Sequence, residues 1–281
     1  MSSSTVITTS TTAPSAASSH TTDPSVGTAA EKLRAATPAR VGLGRVGAAI
    51  PTKARLDFLS AHAGARDAVH TGLDVEGLVA DLRAVGVGTH ALVRSQAATR
   101  QDYLLRPDLG RLPQALPDLS EHAGHIGIVL ADGLSPTAVA EHGPQMYAAL
   151  ADALPEYELA APVIATQARV ALGDHIGHAA GWDVTLVLIG ERPGLSVPSS
   201  LGIYSTWRTT PGTTDEARNC ISNIHPPEGM GYAEAASLAA YYVREYYAHR
   251  RSGFMIKAAE QSGNQALGQP TETGHSAGTP A

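Results

Sequence analysis

The run Val184-Thr-Leu-Val-Leu-Ile189 has no polar face and is rich in β-branched residues, which predicts a central strand covered on both sides. Other short apolar runs flank it. Ile126, Ile128, Val129 and Leu130 predict a strand that stops at Ala131-Asp-Gly133, after which Ser135 and Pro136 supply an N-cap and a proline at the first helical turn. Val139, Met146 and Leu150 carry that helix onward, Val163-Ile-Ala-Thr166 predicts the next strand, and 174–180 a helix returning to the central one. Further strands are expected over 89–93 and 201–207, a turn at Pro211-Gly212, and a final helix over 232–250 whose Leu238, Tyr242, Val243, Tyr246 and Tyr247 read as a packing stripe. Such alternation predicts an α/β fold: a mainly parallel, Rossmann-like sheet flanked by helices. The strand ends at Asp132, 167–170 and Glu191 should then meet on one edge, where open α/β sheets bind ligands.

Upstream, Leu56, Leu59, Ala63 and Val69 fall at helical spacing through 52–71, and Leu78, Leu82 and Val85 continue through a second helix. In Asp102-Tyr-Leu-Leu-Arg-Pro-Asp-Leu-Gly-Arg111, Pro107 and Gly110 are expected to break regular structure, leaving a charged loop that is solvated or touches a partner. Composition adds the boundaries. Residues 1–36 are rich in Ser, Thr and Ala and poor in large apolar groups, so a disordered tail is expected, and 258–281 repeat the pattern. Between them lie an N-terminal arm with helices, 37–88, and the α/β domain, 89–257.

A net charge of −6 and the lack of a Lys/Arg cluster argue against nucleic-acid binding. No apolar stretch approaches the roughly 18 residues that would span a bilayer. The single cysteine, Cys220, excludes an internal disulfide and a thiolate-rich zinc site, and fits a cytoplasmic setting.

Several groups are candidates for chemistry. After the central strand, Gly190, Pro193 and Gly194 stop the ladder and leave Glu191 and Arg192 at its C-terminal end, either as a ligand site or as a solvated turn. Gly42-Leu-Gly-Arg-Val-Gly47 matches the dinucleotide fingerprint G-x-G-x-x-G, yet no strand is expected before it, and a glycine-rich arm lying on a partner or on the domain surface fits better. Cys220 reads as a small buried hydrophobe or, with His225 close in sequence, as a thiol nucleophile. His122 with His125, and His175 with His178, have the spacing of paired metal ligands but no carboxylate companion in a metal-site pattern.

Laid side by side, Ala39-Arg-Val-Gly-Leu-Gly-Arg-Val-Gly47, Ala65-Arg-Asp-Ala-Val69, Tyr103-Leu-Leu-Arg-Pro-Asp-Leu-Gly-Arg111, Ala131-Asp-Gly-Leu-Ser135, Ala168-Arg-Val170, Gly190-Glu-Arg-Pro-Gly-Leu195 and Arg218-Asn-Cys-Ile-Ser-Asn-Ile224 make a chain that resembles the small, or light, chain of ethanolamine ammonia-lyase. Val46 to Ile50 departs from the family's more proline- and arginine-rich continuation of the glycine arm. The resemblance implies an adenosylcobalamin-dependent lyase turning ethanolamine into acetaldehyde and ammonia by radical chemistry. It places substrate on a large subunit built as a (β/α)₈ barrel, paired in equal numbers with this chain. It also implies that Val170, Glu191 and Cys220 are cobalamin contacts, that this chain carries no catalytic residue, and that the enzyme is packaged in a bacterial microcompartment. No histidine here has aspartate two residues before it, so the Asp-x-His-x-x-Gly motif of base-off cobalamin domains is missing and base-on cofactor is expected. A ligand-binding or assembly module of α/β fold without chemistry of its own is the alternative.

Overall fold

The computed structural model describes residues 24–37, 39–119 and 124–257. The tail expectations for 1–23 and 258–281 lie outside these residues. Two compact units are present, 1–58 and 59–281, divided within helix α2 (Thr52–His70).

In the first unit, residues 24–36, expected to be an unstructured tail, form helix α1 (Pro24–Ala36). Its composition lacks apolar groups for a core, but Ala, Glu, Lys, Leu and Arg are all strong local helix formers. Arg34 in its last turn donates from Nε to the Val41 carbonyl at 3.0 Å and also bonds the Gly42 carbonyl. The glycine-rich arm follows directly, with a tight turn in which Val46 and Ala49 exchange backbone bonds of 2.8 and 3.1 Å. The element before Gly42 is thus a helix, and the strand that a dinucleotide site requires is not there among the described residues.

The second unit is built on a six-stranded sheet in the order β1 (Ala91–Arg94), β3 (Val163–Thr166), β2 (Ile126–Ala131), β4 (Val184–Gly190), β5 (Leu201–Trp207), β6 (Arg218–Ile224). The first four pair in parallel; β5 runs antiparallel to β4, and β6 antiparallel to β5. The sheet is therefore mostly parallel, reversed at one end. Strand alternation serves two cores. Val184, Leu186 and Leu188 of β4 join a cluster with residues of α3 (Val75–Ala84), α5 (Pro136–Ala153) and α7 (Tyr232–His249), whereas Val187 and Ile189 join a second with α6 (Leu172–Ala180). An all-apolar strand is the sequence signature of this two-sided burial. Leu78 and Leu82 place α3, grouped by pattern with the N-terminal region, inside the core beneath α5.

The charged stretch at 102–111 also differs from expectation. Thr99 and Asp102 form a reciprocal capping box, with bonds of 3.1 and 3.0 Å, that starts α4 (Arg100–Leu105). Pro107 falls only after that helix, and a 3₁₀ turn follows at Leu109–Arg111. Beyond α7 the chain folds back over the start of β6. There Ser252 Oγ donates to the Ala217 carbonyl at 2.5 Å, Phe254 N–H to the Glu216 carbonyl at 3.1 Å, and Asn219 Nδ2 to the Ile256 carbonyl at 2.9 Å.

Candidate functional site

The parallel strands deliver Asp132, Gln167 and Glu191 to one edge of the sheet, and the reversal at β5 brings Leu201 and Ile224 to the same edge. Asp132, buried just past β2, fixes the neighbouring loop: its two carboxylate oxygens accept from Gln167 N–H at 2.7 Å and Ala168 N–H at 2.8 Å. Gln167 holds a left-handed conformation (φ 54°) in that turn, a geometry uncommon for a residue with a side chain and here held by the clamp. Gly190 lets the other wall close, since a Cβ there would fall 2.0 Å from the Ser135 carbonyl oxygen.

Tyr103 of α4 is fully buried and lies between two guanidinium groups, with Arg169 4.2 Å and Arg100 4.6 Å from its ring centroid. Burial pushes its hydroxyl pKa up to about 12. Arg100 also faces Asp132, at 3.6 Å. A cavity of about 470 Å³ opens beside this stack, lined by Tyr103, Arg169, Val170, Glu191, Arg192 and Tyr204 among others. A wider depression of about 730 Å³ shares Arg169, Val170 and Tyr204 and extends toward His175 and Arg218.

Val170 and Glu191, chosen from sequence, therefore line one cavity, and Cys220 lies one strand further on. Cys220 is the register partner of Tyr204 across β5 and β6. Glu191 Oε2 accepts from Ser200 Oγ at 2.6 Å and from Asn223 N–H at 3.2 Å. Its Oε1 sits over Gly202, where a Cβ would come within 2.9 Å. Two bonds thus orient the carboxylate, both through Oε2.

Cys220 keeps solvent access, but the surrounding protein desolvates its thiol and pushes its pKa up, opposed by the neighbouring Tyr204. A neutral thiol is a poor nucleophile, and His225 is engaged by Asn223 Oδ1 at 2.7 Å. Of the histidine pairs, His122 lies outside the described residues. His175 and His178 sit on α6, and among the described residues no three His, Cys, Asp or Glu side chains gather as a metal site. Sequence reasoning missed Tyr103, Arg100 and Tyr204. For Tyr103 the only signal was a lone aromatic behind a Thr-x-x-Asp cap.

These features define a Rossmann-like α/β chain with a cavity at one edge of its sheet and no cluster of three metal-ligating side chains among the described residues. The profile of the family described as ethanolamine ammonia-lyase light chain (EutC) matches residues 28–257, and the chain belongs to that family. The ethanolamine ammonia-lyase small subunit of Rhodococcus erythropolis is 51% identical over 238 residues, covering 84% of this chain and 93% of that protein. The small subunits of Rhodopseudomonas palustris and Bradyrhizobium diazoefficiens are 49% and 48% identical over 232 and 233 residues, each covering 80% of this chain and 88% of its own length.

Proposed function

We propose that this chain is the small subunit of an adenosylcobalamin-dependent ethanolamine ammonia-lyase, converting ethanolamine to acetaldehyde and ammonia, and that it completes the cobalamin pocket on a catalytic large subunit. The observation that carries this reading is the shared cavity of Val170 and Glu191, linked through Tyr204 to Cys220. When bound, the cofactor supplies the organic radical that abstracts hydrogen from substrate. The work of this chain is to hold and orient. Glu191 Oε1 accepts from peripheral amide N–H groups, Val170 offers apolar wall, and the neutral Cys220 thiol packs against the ligand. Arg169 and Tyr103, which keep unpartnered donors at the cavity wall, suit a ligand rich in acceptors. No residue here serves as acid, base or radical partner. The reading includes base-on cofactor, equal numbers of large and small chains, and the microcompartment packaging that the family implies.

The test mixes this chain with its cognate large subunit and measures ethanolamine deamination and cobalamin affinity for each chain alone and for the pair. Activity is expected only in the pair, and Glu191→Ala in the pair should weaken cofactor binding about tenfold, the loss of a charged hydrogen bond. A large subunit fully active alone, with no complex formed, would instead leave a ligand-binding or assembly module.

A further inference from the structure

Six buried side-chain polar atoms have no hydrogen-bond partner among the described residues, and five of them fall in one place: Arg100 Nη1 and Nη2, Tyr103 hydroxyl, Gln167 Oε1 and Arg169 Nε. Four of the five are donors, Gln167 Oε1 being itself an acceptor; buried donors are nearly always satisfied in a working protein, so a group of four in one spot marks an absent acceptor. The cluster is rigid. Tyr103 is held between its two arginines, Arg169 Nη2 donates to the Tyr103 carbonyl at 3.1 Å, and Arg100 Nε donates to the Val69 carbonyl at 2.7 Å. Tyr103 and Arg169 also form part of the wall of the cavity that holds Val170 and Glu191.

Charge narrows what the acceptor is. Arg100 is met by Asp132 at 3.6 Å, whereas Arg169 makes no ion pair among the described residues. One uncompensated guanidinium and one hydroxyl donor, both at the cavity wall, suit a single negative charge spread over oxygens. A neutral amide would leave the half-buried Arg169 charge without a counter-ion.

Resting on the cobalamin reading above, we infer that Tyr103 and Arg169 bind a phosphodiester, the one in the nucleotide arm of the cofactor, with the Tyr103 hydroxyl and Arg169 Nε donating to its unesterified oxygens. Arg100 and Asp132 act as positioning residues: Arg100 stacks on the Tyr103 ring, and Asp132 pins the turn that carries Arg169.

Two corrinoids separate this site from the rest of the pocket. Cyanocobalamin carries the phosphodiester; cyanocobinamide lacks it. Affinities of both are measured by equilibrium titration on the assembled two-subunit complex, with Tyr103→Phe, which keeps the ring and its stacking, and with Arg169→Gln and Arg169→Lys. The expected result is an approximately tenfold loss for cyanocobalamin in Tyr103→Phe and Arg169→Gln, partial recovery in Arg169→Lys, and cyanocobinamide unchanged within about twofold. Equal losses for both corrinoids, or none for either, would overturn the assignment while leaving the pocket itself standing. If subunit affinity falls and both corrinoids bind as before, the acceptor is a carboxylate of the partner and the phosphodiester is ruled out. A wild-type complex that binds neither corrinoid removes the cobalamin reading and this inference together.

Discussion

Arg218 of β6 and Asp174 of α6 form a two-pronged ion pair, Nη1 to Oδ1 at 2.6 Å and Nη2 to Oδ2 at 2.7 Å, with side chains only 3% and 1% exposed. The pair ties the helix on one face of the sheet to the outermost strand, beside the wider depression. Asp174→Ala strips the arginine of its counter-charge in a place water hardly reaches, a change that typically costs about 3–5 kcal/mol. The lower end is expected here, because Arg218 Nη2 keeps its 2.7 Å bond to the Thr213 carbonyl. About 3 kcal/mol corresponds to a fall of roughly 6–12 °C in apparent Tm for a domain of this size, or about 1.5 M in urea midpoint at an m-value near 2 kcal/mol/M. Urea unfolding of the full chain, followed through the fluorescence of buried Trp182, measures it. Asp215 touches the same guanidinium at 3.4 Å but is 99% exposed, so Asp215→Ala should cost less than about 1 kcal/mol. Replacing both partners, Asp174→Leu with Arg218→Met, should recover most of the loss, since no buried charge is left. An Asp174→Ala midpoint no lower than that of Asp215→Ala would refute the reasoning.

Three further outcomes are expected. Gly202→Ala should displace the Glu191 carboxylate, whose Oε1 would lie 2.9 Å from the new Cβ, and so reproduce much of the Glu191→Ala loss in corrinoid titration with little change in unfolding midpoint. The Tyr103 hydroxyl, raised by burial from the ordinary value near 10 to about 12, adds stability in full below about pH 10 and loses it as pH rises toward 12; the alkaline fall in urea midpoint should therefore be shallower in Tyr103→Phe. Electron paramagnetic resonance of cob(II)alamin on the assembled enzyme should respond to nitrogen-15 in the lower base of the cofactor, and a coupling nitrogen that stays unlabelled would mean a protein ligand on cobalt.

The parallel part of the sheet was legible because β2 and β4 are buried on both faces, and a strand with no polar side can be read without knowing its partners. The convergence of Asp132, the 167–170 turn and Glu191 followed from that topology. Other features depend on distant partners. Tyr103 owes its depth to Arg100 and to Arg169, 66 residues away along the chain, and no local pattern carries that information. Helix α1 was missed for the opposite reason: the composition was judged by what it could bury, whereas a helix also forms from local propensity. Glu191 and the 167–170 turn were placed on one edge by strand pattern, the resemblance then singled out Val170 and Glu191, and the structure puts both on one cavity wall.

The fold-back over β6 bears on where this molecule can be shortened. Residues 252–256 bond the Ala217 and Glu216 carbonyls just before β6 and the Asn219 side chain within it, and Ile256 is tucked into the core at 5% exposure. A version ending with α7 would lose those bonds and leave a hole where Ile256 packs, so a working truncation must keep the chain at least through Ile256.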